Sequence, residues 1–248
     1  MTRRRWLRLA ALLVAGAGLA WWMPWQTRLR VLSRGGKGPP TFVLLHGYGS
    51  AAEQWLPYTQ TIPFPPAGQF LFPQGPDWVA RKDGLIHGRA WWDLDLAAHL
   101  REGKPGVDLT REDPRGLQRA ATLVRKSLSR EGNSTVHPFI LGGFSQGAMV
   151  ACEVAFASDT PLAALVILSG TPQELAGWQL GMAARQRLPI FLSHGRADDI
   201  LPFDLAEKLH ADLVAAGLSV TFIPFDGGHA IPEEVVIALG KFLAQVGS

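Results

Sequence analysis

Pro138-Phe139-Ile140-Leu141-Gly142-Gly143-Phe144-Ser145-Gln146-Gly147-Ala148-Met149 decides how the rest of the chain is read. An apolar run rises to Leu141, glycines crowd the centre, and small and apolar residues follow without a proline. That order spells strand, sharp turn and helix, with Ser145 at the tip of the turn. Gly143 to Gly147 fits G-x-S-x-G, in which a strained strand-to-helix turn exposes a serine hydroxyl as a nucleophile. Glycines at both ends suit such a turn, which leaves little room for side chains beside the serine. The helix that follows points free backbone N–H groups and its positive end toward the place where an oxyanion would form.

Working upstream, Thr41 to Leu45 is a short β-branched and apolar run, the pattern of a buried strand, and it ends in His46-Gly47-Tyr48-Gly49-Ser50. A glycine-rich turn after an early strand can supply a second oxyanion donor. The expected oxyanion hole is therefore the backbone N–H of Tyr48 with that of Gln146. Chains with such an elbow order their catalytic groups serine, acid, histidine. His46 precedes the serine, so its expected task is to brace the turn by hydrogen bonds. Phe70 to Pro76 reads as a strand running into a loop that continues through Gly88 to Leu94. Two adjacent tryptophans there, Trp91 and Trp92, leave two alternatives open: they line a substrate pocket, or they form a hydrophobic latch. His87, Asp95 and His99 lack metal-ligand spacing and read as surface residues, and no metal is expected. Lys104 to Arg111 reads as loop. Asp113-Pro114 is a helix start, with Leu117, Ala121, Val124 and Leu128 at helical spacing as far as about Arg130.

Downstream, Leu162 to Leu168 and Pro189 to Ser193 are strands, Asp204 to Ala216 is a helix closed by Gly217, and Ser219 to Pro224 is a strand. Strands alternating with helices imply an α/β fold, a mostly parallel central sheet with helices on both faces. Functional loops in such sheets lie at the carboxyl ends of strands. One of them carries His194-Gly195-Arg196-Ala197-Asp198-Asp199, the next Asp226-Gly227-Gly228-His229. Ser145, Asp198 and His229 thus fall in the required order. The chemistry needs each type: serine is a poor nucleophile until histidine takes its proton, and the carboxylate fixes the imidazole tautomer.

A chain of 248 residues, 47% hydrophobic, suffices for one large domain. Its pI of 9.3 raises the question of nucleic acid, which the location of the charges answers. Residues 1–40 hold eight basic residues and no acid, leaving 16 basic against 21 acidic residues in the remainder, a net of −5. No nucleic-acid partner is expected. The leader has Arg3-Arg4-Arg5 before the uncharged stretch Leu9 to Met23, then Pro24 and Trp25, a secretory signal or signal anchor. Trp21-Trp22-Met23-Pro24-Trp25 is an aromatic cluster suited to a membrane interface. The expected division is 1–27 as signal or anchor, 28–40 as linker and first strand, and 41–248 as catalytic domain. The protein is expected to be exported, periplasmic or anchored facing outward, with membrane association through the leader. The single cysteine, Cys152, excludes an intrachain disulfide and reads as core.

Taken together, His46-Gly47-Tyr48-Gly49, Phe72-Pro73-Gln74-Gly75-Pro76, Trp91-Trp92-Asp93, Gly142 to Gly147, His194-Gly195 through Pro202, and Gly228-His229 resemble the phospholipase/carboxylesterase family of α/β-hydrolases, which includes acyl-protein thioesterases. The resemblance covers about Thr41 to the C-terminus. It implies the α/β-hydrolase fold and a serine esterase acting on a small-molecule ester or thioester, without cofactor. It also implies that the acid is Asp198, four residues after the histidine of the His-Gly turn, with Asp199 as the alternative. Two features depart from the family's pattern: the export leader, and Ser50 where an acidic residue is common. The rival readings are a lipase-like or polyester-cleaving esterase, and a non-catalytic membrane-tethered binding protein on the same fold.

Overall fold

Apolar runs flanked by glycine and proline pair as strands in the computed structural model, which describes residues 28–80, 86–94, 106–110, 113–129, 138–173 and 176–246. The strands are β1 (Val31–Gly35), β2 (Thr41–Leu45), β3 (Gln69–Pro73), β4 (Asp77–Ala80), β5 (Ile86–Ala90), β6 (Phe139–Phe144), β7 (Leu162–Leu168), β8 (Ile190–Gly195) and β9 (Val220–Phe225). Seven of them form one sheet in the order β1-β3-β2-β6-β7-β8-β9. Every pairing in it is parallel except that of β1 with β3.

Period-two alternation distributes the apolar side chains between two cores. On β2, Val43 and Leu45 face one side, Phe42 and Leu44 the other; on β7, Leu165 and Ile167 oppose Val166 and Leu168. Both faces are covered, which is why these strands read as unbroken hydrophobic runs. One face carries α2 (Pro114–Leu128), α3 (Gln146–Phe156), α4 (Ala176–Ala184) and α5 (Phe203–Ala215). The other carries α6 (Glu233–Val246), with Val235, Leu239, Phe242 and Leu243 against Phe42, Leu44 and Phe191. A 3₁₀ turn at Ala52–Trp55 and the short α1 (Tyr58–Thr61) follow β2.

The start of α2 is as its sequence dictates: Pro114 is its first residue, and the Asp113 carboxylate accepts the Arg115 N–H at 3.0 Å. Helix α3 is buried on every side, since it lies between the sheet, α2 and α4. A carboxylate survives in that interior because Glu153 accepts the indole N–H of Trp178 on α4 at 2.6 Å.

One expectation needs correcting. The segment after β3 is not continuous loop, since β4 and β5 form an antiparallel hairpin with Trp78 opposite Arg89. The Arg89 guanidinium stacks 4.0 Å above the Trp78 ring, and Ser50 bridges to Arg89, docking the hairpin beside the turn after β2. Its pairing rests on such contacts rather than on apolar alternation. Residues 1–27, Asp95, His99, Lys104 and Arg111 lie outside the described residues, as does the side chain of His87.

Candidate active site

The loops after β2, β6, β8 and β9 share one end of the sheet, where the parallel strands finish. Ser145 occupies the turn between β6 and α3 at φ 56° and ψ −122°, a conformation that a non-glycine residue holds only under constraint. Its N–H is tied to Leu168 O at 2.9 Å. The flanking glycines are required by space rather than by φ. A Cβ on Gly143 would collide with the Gly147 carbonyl, and one on Gly147 would meet Leu45 O and come within 2.5 Å of His46 O. The first turn of α3 therefore lies directly against the end of β2. Gln146 is the first residue of α3, so helical geometry gives its N–H no intrahelical acceptor.

Gly47 packs over the elbow, where a Cβ would be 3.4 Å from Ser145 Cβ and 3.2 Å from Phe144 Cδ1. The same Phe144 ring lies 4.7 Å from that of His229. Thus the turn after β2, the serine and the histidine loop converge on Phe144.

Asp198 and His229 are joined directly. The Nδ1–H of His229 donates to Asp198 Oδ2 at 2.7 Å, while Asp198 Oδ1 accepts the N–H groups of Ile200 at 2.9 Å and Leu201 at 2.8 Å. Asp199 is exposed. The two loops are zipped together by Arg196 N–H to Phe225 O and Ala197 N–H to Gly227 O, both 2.9 Å. Gly195 makes the approach possible, because a Cβ there would strike the carbonyls of Gly227 and Gly228. Burial opposes ionisation of Asp198, but the neighbouring His194 and His229 outweigh it and hold the carboxyl well below the usual range. Among the described residues no cluster of His, Cys, Asp or Glu could hold a metal ion.

A family model described as phospholipase/carboxylesterase matches residues 26–246. The chain belongs to that family. Acyl-protein thioesterase 1 of Saccharomyces cerevisiae is 28% identical over 190 residues, covering 73% of this chain and 79% of the relative. The protein of the same name from Eremothecium gossypii is 27% identical over 187 residues, covering 73% and 76%. Among solved structures, esterase PE8 superposes with a TM-score of 0.70 at 26% identity over 88% of this chain and 99% of its own. Acyl-protein thioesterase 2 of Zea mays gives 0.67 at 23% identity over 88% and 99%, a likeness of fold.

Several groups of this family member act as braces. His46 is buried, its Nδ1–H donating to Gly47 O at 2.8 Å and its Nε2 accepting the Gly75 N–H at 2.9 Å. Burial, aided by the charge of Arg89, lowers its pKa to about 4, so it is a neutral imidazole at ordinary pH. Trp91 is wholly buried and donates its indole N–H to His46 O at 2.7 Å. Trp92 packs so tightly on α2 that a Cβ on Gly116 would lie 2.6 Å from its own Cβ. Both indoles belong to the main core, and Trp91 offers no surface to a ligand.

Two braces went unassigned in the sequence. Arg89 donates from Nε to Gly75 O at 2.7 Å and from its terminal nitrogen to Pro76 O at 3.0 Å. His194, fully buried at the end of β8, reaches Leu201 O at 2.8 Å and lies 3.2 Å from Asp198 Oδ2. The histidine before the acid was visible; its partner, a carbonyl seven residues on, was not.

Proposed function

We propose that this protein hydrolyses a carboxylic ester or thioester through an acyl-enzyme, with Ser145 as nucleophile, His229 as base and then acid, and Asp198 as the group that orients the histidine. Hydrolysis of esters or thioesters comes with the family; the residue roles and the substrate are the proposal. The observation that carries it is the 2.7 Å bond from His229 Nδ1–H to a wholly buried Asp198 carboxylate beside the constrained Ser145 turn. That bond leaves Nε2 of His229 with the lone pair needed to accept the serine proton. The Ser145 alkoxide attacks the acyl carbonyl, and the tetrahedral oxyanion is held by the N–H groups of Gln146 and Tyr48. His229 gives the proton to the departing alcohol or thiol, then activates water to release the acid.

The leader belongs to the same proposal. No helix among the described residues is long and apolar enough to cross a membrane. The arginines and apolar stretch of residues 1–27 carry the body out of the cytoplasm and associate with the membrane.

The test is hydrolysis of p-nitrophenyl esters from acetyl to long acyl chains, with fluorophosphonate labelling, for the full chain and Ser145→Ala. Both activities vanish in the variant if the assignment holds; retained labelling would refute it. Fractionation of expressing cells should find the chain outside the cytoplasm, and a wholly cytoplasmic protein overturns the reading of the leader.

A further inference from the structure

The two groups assigned to the oxyanion hole come from distant parts of the chain, yet one run of buried hydrogen bonds connects them. Gln146, 1% exposed, turns its side chain away from solvent, Oε1 accepting the Trp91 backbone N–H at 3.0 Å and Nε2 donating to Trp92 O at 2.9 Å. The same Trp91 donates its indole N–H to His46 O at 2.7 Å. His46 in turn donates from Nδ1 to Gly47 O at 2.8 Å. Gly47 C=O and Tyr48 N–H belong to one planar peptide group, so fixing the carbonyl fixes the direction of the N–H on its opposite side. The His46–Gly47 peptide before it is held by the indole. Each end of the run thus terminates on a residue or peptide that supplies a proposed donor.

We propose that the Gln146 side chain, Trp91 and His46 form a positioning bridge that sets the separation and direction of the two oxyanion donors. The proposal rests on the serine-hydrolase reading given above. None of the three side chains needs to touch substrate, and the burial of all three fits that. Glycine contact already brings α3 against the end of β2, with Gly147 facing Leu45 O and His46 O. Contact sets how near the two elements come, and hydrogen bonds set how they are turned. Oxyanion stabilisation depends on both, because donors must meet the oxygen of the tetrahedral intermediate rather than that of the ground-state carbonyl.

The experiment compares Gln146→Met, which keeps length and removes both amide bonds, with Trp91→Phe, which removes the indole donor. Gln146→Glu keeps an acceptor for the Trp91 N–H and, as the neutral acid that burial against Trp92 O favours, an O–H donor in place of the amide N–H, so it serves as the isosteric variant and as the fallback should either of the others fail to fold. Each is measured for kcat and KM on a p-nitrophenyl ester, and for inhibition by an alkyl boronic acid, whose serine adduct carries a tetrahedral oxyanion. The bridge requires kcat to fall about 10- to 100-fold with KM within about threefold, as for a sub-ångström misplacement of catalytic groups. Boronate inhibition should weaken in parallel, Gln146→Glu should recover part of the loss, and the Gln146→Met/Trp91→Phe double variant should lose no more than the worse single. Folded variants with unchanged kcat, or losses that multiply, overturn the bridge while leaving the hydrolase reading intact. Wild-type protein without Ser145-dependent turnover overturns the hydrolase reading itself.

Discussion

Replacing Asp198 by Asn is the most discriminating perturbation, because the surrounding donors decide which way the new amide points. Asp198 Oδ1 accepts two backbone N–H groups, from Ile200 at 2.9 Å and Leu201 at 2.8 Å. Only the amide oxygen of an asparagine can take that place. Turning the NH2 toward them would leave those two N–H groups unmet, at about 1–3 kcal/mol each where they are buried. The NH2 must then occupy the position of Oδ2, 2.7 Å from His229 Nδ1. A donor there demands the Nδ1 lone pair, which moves the histidine proton to Nε2, the nitrogen that has to accept from Ser145. The variant keeps the Ile200, Leu201 and His229 contacts, loses the acceptor that faced His194 Nε2 at 3.2 Å, and holds the wrong tautomer. The expected loss in kcat is about 10⁴-fold, or about 5 kcal/mol in the barrier. The assay is p-nitrophenyl ester turnover beside Asp199→Asn, with circular dichroism and a thermal melt to show that both variants fold. Asp199 is exposed, so its substitution should leave kcat within about twofold. A folded Asp198→Asn retaining more than about a tenth of wild-type kcat would refute the tautomer argument. A larger loss at Asp199 would show that the wrong carboxylate was chosen.

Gly195→Ala puts a methyl against the carbonyls of Gly227 and Gly228, so the acid and histidine loops must part. It should cost about 1–3 kcal/mol in urea unfolding and lower kcat together with stability; an unchanged variant would mean that the loops yield freely. His46 supplies a pH dependence. Its folded pKa of about 4 lies below the ordinary value of 6.5, so its contribution to stability is complete above pH 6.5 and is lost as pH falls toward 4, on the order of 3 kcal/mol. Thermal midpoints measured across that window should fall less steeply for His46→Gln than for wild type, and identical slopes would remove His46 as the cause. Asp198 works in the same direction but lower: its depressed pKa keeps its contribution present above the unfolded carboxylate value of about 4, and only stronger acid removes it.

What could be read from the sequence divides along a physical line. Ser145, Asp198 and His229 could be proposed as a triad because their constraints are local or ordinal. The elbow needs glycine at Gly143 and Gly147 for space, each residue follows a recognisable strand, and the order of the three is that of the fold. Strands β2 and β7 were legible to the residue, since a strand covered on both faces must be apolar throughout. The β4–β5 hairpin was not, because its pairing depends on Arg89 meeting Trp78 and its docking on Arg89 meeting Ser50, contacts that leave no period in the sequence. Trp91 and His194 show the same limit within the site. Each presents one N–H to a backbone carbonyl, His46 O and Leu201 O respectively, and every residue of the chain offers such a carbonyl. The sequence of Trp91-Trp92 therefore admitted both a pocket and a latch; only the position of one acceptor decides what the indole does. The proposed reacting groups are distinguished by residue type, whereas the frame around them is built largely on main-chain atoms that all residue types share. A motif can accordingly persist while its frame is lost, which is why Gln146→Met, leaving G-x-S-x-G, acid and histidine untouched, is expected to separate having the catalytic residues from having them in register.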